Sequence, residues 1–438
     1  MKIEKIELGY VHIPLITPFR TALRTVDGIH DLIVRITAED GSFGFGEAPP
    51  TAVITGDTKE SIEAAIRGYI APSIIGMDLL DLDAVMRKME RSIAKNTSAK
   101  AAVDIALYDL YAKQMGMPLY RVLSGVQGGG TPRPGKSGSA ATKAELGEPD
   151  GGAAREESGS PGSAAARAES GNPGSGAAKA ESGNRSSAAV KAESGGSEIE
   201  TDITISVDET EKMVRDSLRA AADGFRILKV KVGKGGKKDV ERVREIRRAV
   251  GPEAILRIDA NQGWTAEEAI STIRAMEDEG LRIELVEQPV SCHDFRGLQR
   301  VTKAVDTPVL ADESVFSYED AERIIEEHAA DYINIKLMKT GGIYQAMRIC
   351  DLADRYQVSC MIGCMLESKV SVSAGAHLAA ARSCITMADL DGPSLCAEDP
   401  YEGGPVYSGP KIYLNEDAGI GIRTVPADFC VCGSNPDR

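Results

Sequence analysis

The chain has 438 residues, 42% of them hydrophobic, enough for one large core and a smaller one. Its 51 basic residues stand against 66 acidic ones, and a formal charge of -15 repels phosphate backbones and anionic lipid heads, so neither nucleic acid nor a membrane is an expected partner. There is no secretory h-region and no apolar run long enough to span a bilayer, so a soluble, cytoplasmic protein is expected, as a homo-oligomer.

Residues 1–126 open with strand-like runs (IEKIELGYVHIPL, DLIVRITAEDGSFGFGEA) and pass into helical ones (SIEAAIRGYIAPSII, AAVDIALYDLYAKQMG), the pattern of a small α+β capping domain. Residues 127–198 nearly lack aromatic and branched aliphatic side chains, and AAREESGSPGSA at 153 is echoed every 12 residues by AARAESGNPGSG, AAKAESGNRSSA and AVKAESGGSE. These units have no apolar face to stack, so a disordered insertion is expected rather than a solenoid. The alternative is a partner-binding arm. Residues 395–438 are expected to return to the capping domain. All eight cysteines follow residue 291, scattered rather than laid out as a disulfide framework, and the CxC of Cys430 and Cys432 lacks the matching second pair of a zinc site, which points to reduced thiols.

From 199 to 394 strand and helix alternate. The strand candidates are TDITISV (201–207), RILKVKVG (226–233), ILRIDAN (255–261), IELVEQP (283–289), TPVLADES (307–314), YINIKLM (332–338), SCMIGCML (359–366) and ITMADLDG (385–392). Eight strands with amphipathic helices between them predict a (β/α)8 barrel, α/β in class. Most of these strands end in one polar residue: Lys231, Asp259, Glu287, Asp312, Lys336 and Asp389. Their separations of 28, 28, 25, 24 and 53 residues are one βα unit each, the last two units, so the six side chains should converge at one mouth.

Asp259, Glu287 and Asp312 make an oxygen-only site suited to Mg2+ or Mn2+ and poorly suited to zinc. Lys231 and Lys336 flank it in chain order and should face each other across the barrel. Metal and ammonium charge both disfavour a protonated lysine, so one of the pair is expected as a neutral base and the other as an acid. Lys229 shares a strand face with Lys231.

The KVK of 229–231, the DAN of 259–261, the EQP of 287–289, the ADES of 311–314 and the NIKLMKTGG of 334–342 resemble the enolase superfamily, muconate-lactonizing-enzyme subgroup. That resemblance implies that Asp259, Glu287 and Asp312 hold one Mg2+ per subunit. It implies that Lys231 and Lys336 are the acid/base pair and that Lys229 lies beside the substrate carboxylate; a lysine base working with Mg2+ is a general trait of the superfamily. Within it, the DLDG of 389–392 and the MIGCMLES of 361–368 resemble the dipeptide epimerases.

Alternation along a strand would set Asp389 and Asp391 on one face to receive a dipeptide's ammonium; the plainer alternative is a solvated acidic turn. Arg24, in the TPFRTALRT of 17–25, resembles part of a specificity loop and would pair with an acidic side chain, which points toward an Ala-Glu type dipeptide. Thr204 and Cys364 are further candidate substrate contacts, and Glu367 a candidate for orienting a lysine. Rival readings are an N-acylamino acid racemase or o-succinylbenzoate synthase, whose substrates lack the free ammonium. From another class comes a catalytically silent scaffold with a disordered arm.

Overall fold

The computed structural model describes residues 1–21, 25–125, 198–233 and 235–432. Arg24 and all of the expected insertion except residue 198 lie outside them. The described residues belong to one compact unit. Among them no helix is long and apolar enough to cross a membrane. All eight cysteines are free thiols.

The cap is an antiparallel sheet of β1 (Ile3–Arg20), β2 (Thr25–Ala38) and β3 (Phe43–Ala48). β1 buries residues on both faces, Ile6 and Leu8 on one and Val11 and Ile13 on the other. The strand Cys430–Val431 pairs antiparallel with β1 at the edge of this sheet. On β3, the glycines of FGFGEA let the alanine-rich helix Thr97–Gln114 lie flush on the sheet. A Cβ at Gly46 would sit 1.8 Å from the Ala102 carbonyl oxygen, and one at Gly44 2.2 Å from that of Ala106. Backbone contact this close fixes where Glu47, between Gly46 and Ala48, is delivered.

A short strand β4 (Glu198–Glu200) leads into eight parallel strands: β5 (Ile203–Ile205), β6 (Ile227–Lys231), β7 (Ile255–Asp259), β8 (Ile283–Glu287), β9 (Val309–Ala311), β10 (Tyr332–Lys336), β11 (Cys360–Gly363) and β12 (Ile385–Asp389). They run side by side from β5 to β12 in chain order. The seam between β12 and β5 is drawn together by the Asp202 amide donating to the Ala388 carbonyl at 3.3 Å and the Leu390 amide to Thr201 Oγ1 at 2.8 Å. Inside, the Arg257 guanidinium joins Asp202 at 2.9 Å and Glu284 at 2.6 Å. Seven strands lead into helices, whereas β12 is followed by a single 3-10 turn, Gly392–Leu395, before the chain leaves the barrel.

Register aligns the mouth. Lys231 pairs with Asp259 and Asp259 with Glu287, while Lys336 pairs with Gly363 and Gly363 with Asp389. The loops just beyond are bent hard, because Asn261, Gln262 and Gln288 hold φ values of 43°, 65° and 36°, where side chains are seldom found.

Candidate active site

Lys229 and Lys231 alternate with Val230 on β6 and so point into the barrel together. Lys229 is the deeper. Its ammonium lies 2.6 Å from Asp389, 2.7 Å from Glu287 and 3.3 Å from Asp259. Burial works to neutralise it, but those three carboxylates outweigh burial and hold its pKa well above the ordinary lysine value. Lys231 sits 2.5 Å from Asp259, and Lys336 sits 2.8 Å from Asp312. Burial favours neutral Lys336, but the Asp312 carboxylate outweighs it and raises its pKa above the ordinary lysine value.

Asp259, Glu287 and Asp312 are almost completely buried. Burial raises Asp312, but Lys336, Lys339 and Lys229 together hold its carboxyl far below the usual range. Glu287 goes the other way, pushed up to about 7 by burial and then by the Asp259 charge. Asp259 and Asp312 lean on lysines, and among the described residues no three acidic, cysteine or histidine side chains close into a metal cage. The donors themselves suit a hard divalent cation, being oxygen alone. Glu287 Oε2 and Asp312 Oδ1 are buried and face only the Lys229 and Lys339 ammoniums, at 2.7 and 2.6 Å, without an aligned hydrogen bond. Lone pairs are thus available to a cation from two of the three residues.

Above this layer opens a cleft whose lining includes Lys231, Lys336, Thr204, Cys364, Asp389 and Asp391. Lys231 and Lys336 stand four strands apart in an eight-stranded barrel, and so across it. The Asp389 carboxylate is engaged by Lys229, and despite burial that ammonium with Lys336 and Lys231 lowers it to about 2. Asp391 accepts from the Thr204 amide at 2.7 Å, and burial, with the Asp389 charge, lifts it to about 6. Both carboxylates reach the cleft, though not by strand alternation. β12 stops at Asp389, and Asp391 has turned to φ -83°, ψ -6° at the start of the 3-10 turn. Lys229 does not line the cleft; it lies beneath, tying three acids together.

Several residues of the site lie inside the motifs quoted above but were not singled out as site residues. Lys339, fully buried one helical turn after Lys336, faces Asp312 Oδ1 at 2.6 Å and donates to the Asn334 carbonyl at 2.9 Å. Its i, i+3 spacing from Lys336 within NIKLMKTGG was the signal that could have found it. Asn334 donates to Glu287 Oε1 at 2.9 Å, and the Gln288 side-chain oxygen accepts from the Asp312 amide at 2.9 Å. Glu313 is buried with both carboxylate oxygens unpartnered, and burial with the Asp312 charge raises it to about 8. The cap adds Phe19, Val53 and Ile54 to the cleft wall. Trp264 braces its loop by donating to Asp239 at 3.2 Å.

Residues 5–124 match the mandelate racemase / muconate lactonizing enzyme, N-terminal domain family, and residues 212–427 match the enolase C-terminal domain-like family. The chain belongs to the mandelate racemase/muconate lactonizing enzyme family of the enolase superfamily. It is 45% identical to the L-Ala-D/L-Glu epimerase of Clostridium acetobutylicum over 97% of this chain and 99% of that one. The substrate-liganded L-Ala-D/L-Glu epimerase from Bacillus subtilis superposes with a TM-score of 0.79 at 39% identity, covering 98% of this chain and 100% of that one. The dipeptide epimerase from Enterococcus faecalis, complexed with Mg and the dipeptide L-Leu-L-Tyr, gives 0.77 at 34%, covering 97% and 100%.

Proposed function

We propose that this chain is a dipeptide epimerase that removes and returns the proton at the α-carbon next to the substrate carboxylate. The observation that carries this reading is one cleft lined by two lysines from opposite strands together with Asp389 and Asp391. A dipeptide lying between Lys231 and Lys336 presents one face of its α-carbon to each. The lysine that is neutral takes the proton, and the ammonium opposite returns one to the other face, which inverts the centre. Asp259, Glu287 and Asp312 are the residues that would hold one Mg2+ per subunit, with Mn2+ as a substitute. When bound, that cation offsets the negative charge gathering on the substrate carboxylate as the α-proton leaves.

Asp391 is the ammonium site. Asp389 is already engaged by Lys229, whereas the Asp391 carboxylate is held by the Thr204 amide and hydroxyl, with no lysine of its own, and is left to a cationic ligand. Among the described lining residues the cations are Lys231 and Lys336. A preference for an acidic second residue therefore rests on Arg24, in keeping with the Ala-Glu dipeptides of the relatives.

The test compares free and N-acetylated dipeptides on the parent and on Asp391→Asn. Loss of a charge-assisted contact is worth about 1.5 to 3 kcal/mol, roughly a factor of ten to a hundred or more in kcat/KM, and it should appear mainly as a higher KM. Acetylation should cost the parent as much, and the two losses should not add, because they remove the same interaction. Turnover of free dipeptides should also weaken as pH falls through about 6, where Asp391 takes up its proton and its charge is lost. N-acyl amino acids outperforming free dipeptides on the parent would replace this reading with the racemase one.

A further inference from the structure

Glu47 belongs to the cap, yet its side chain is fully buried against the barrel. Oε1 accepts from the Ser368 amide at 2.9 Å, and Oε2 accepts from the Ser371 amide at 2.9 Å and the Ser371 hydroxyl at 3.1 Å. Ser368 precedes the helix Lys369–Ala381 and has no side-chain cap of its own, so a carboxylate from another domain satisfies amides that the helix leaves open. The same Ser371 hydroxyl lies against Glu367, whose other oxygen accepts from the Met365 amide at 2.5 Å. Met365 and Leu366 line the cleft. The chain of bonds thus runs from the cap sheet to the turn that forms one cleft wall.

That wall abuts only one of the two lysines. Gly363 pairs with Lys336 across β10 and β11, and a Cβ there would come within 2.9 Å of Lys336 Cε. The backbone at Gly363 is therefore the surface on which the Lys336 stem rests, and Lys231 lies on the far side of the barrel. We propose that Glu47 is a positioning residue that holds the 363–368 wall, and through it sets the reach of Lys336 but not of Lys231. This rests on the two-lysine reading of the site.

The experiment follows α-proton exchange in D2O from each epimer separately, with Mg2+ present, for the parent and for Glu47→Gln. An amide keeps one acceptor oxygen and sets an NH2 against a backbone amide, so one arm of the clamp is lost. Exchange through the Lys336 face should slow by tenfold or more, since small misplacements of a catalytic group are costly, while exchange through the Lys231 face stays within about twofold. Glu47→Asp, which keeps both acceptors, should restore part of the loss. Should Glu47→Gln fail to fold, Ser371→Ala removes only the shared hydroxyl and should show the same face preference at several-fold. Equal slowing of both faces, or none, overturns the proposal. Absence of exchange in the parent would instead sink the two-lysine reading itself.

Discussion

Lys231→Ala and Lys336→Ala should each abolish epimerisation, by about a thousandfold or more, while each keeps exchange on a single face. A lysine on one side of the α-carbon cannot reach a proton on the other. Each variant should therefore wash deuterium into only one epimer, Lys231→Ala into the one whose α-hydrogen meets Lys336, and Lys336→Ala into the other. The fold should survive both. Without Lys231, Asp259 still has Lys229 at 3.3 Å; without Lys336, Asp312 still has Lys339 at 2.6 Å. Lys229 is different, because its loss would strand three buried carboxylates with one fewer charge among them. Proton NMR of each epimer in D2O reads the outcome. If either alanine variant still interconverts both epimers at the parent rate, the two-base mechanism is wrong.

Chelation should remove turnover, and Mg2+ or Mn2+ should restore it. The α-proton beside a carboxylate is too weakly acidic for an amine to take unless positive charge meets the electrons left behind. The ammonium best placed beneath the cleft, Lys229, is already engaged by Asp389, Glu287 and Asp259 and does not line the cleft. The charge must come from elsewhere, and Asp259, Glu287 and Asp312 are the oxygen donors that could fix it there. The check is dialysis against chelator followed by a metal titration of both rate and heat of binding. Undiminished activity in excess chelator would rule out the metal assignment.

The barrel was legible because most of its strands declare themselves twice, once by an apolar run and once by the polar residue where the run ends. Lys231, Asp259, Glu287 and Lys336 each close a strand as expected. Asp312 falls one residue past β9. Strand alternation, which would pair Asp389 with Asp391, ends at Asp389. The two still share the cleft because the following turn swings Asp391 back against Thr204. Charge state was harder to read than position. Spacing shows that lysines and acids converge, but not which ammonium sits on which carboxylate, and that pairing raises the pKa of Lys336. Contacts between distant segments were invisible. Glu47 meets Ser371 across 324 residues of sequence, and in a single chain nothing marks that glutamate apart from its glycine neighbours.

One measurement bears most directly on the whole account: free alanyl-glutamate, incubated with the Mg2+-loaded enzyme in D2O and followed by proton NMR. The account predicts loss of the α-proton signal of the C-terminal residue alone, appearance of the second epimer, and much slower exchange once the amino group is acetylated. No exchange with any free dipeptide, or faster exchange after acetylation, would contradict it.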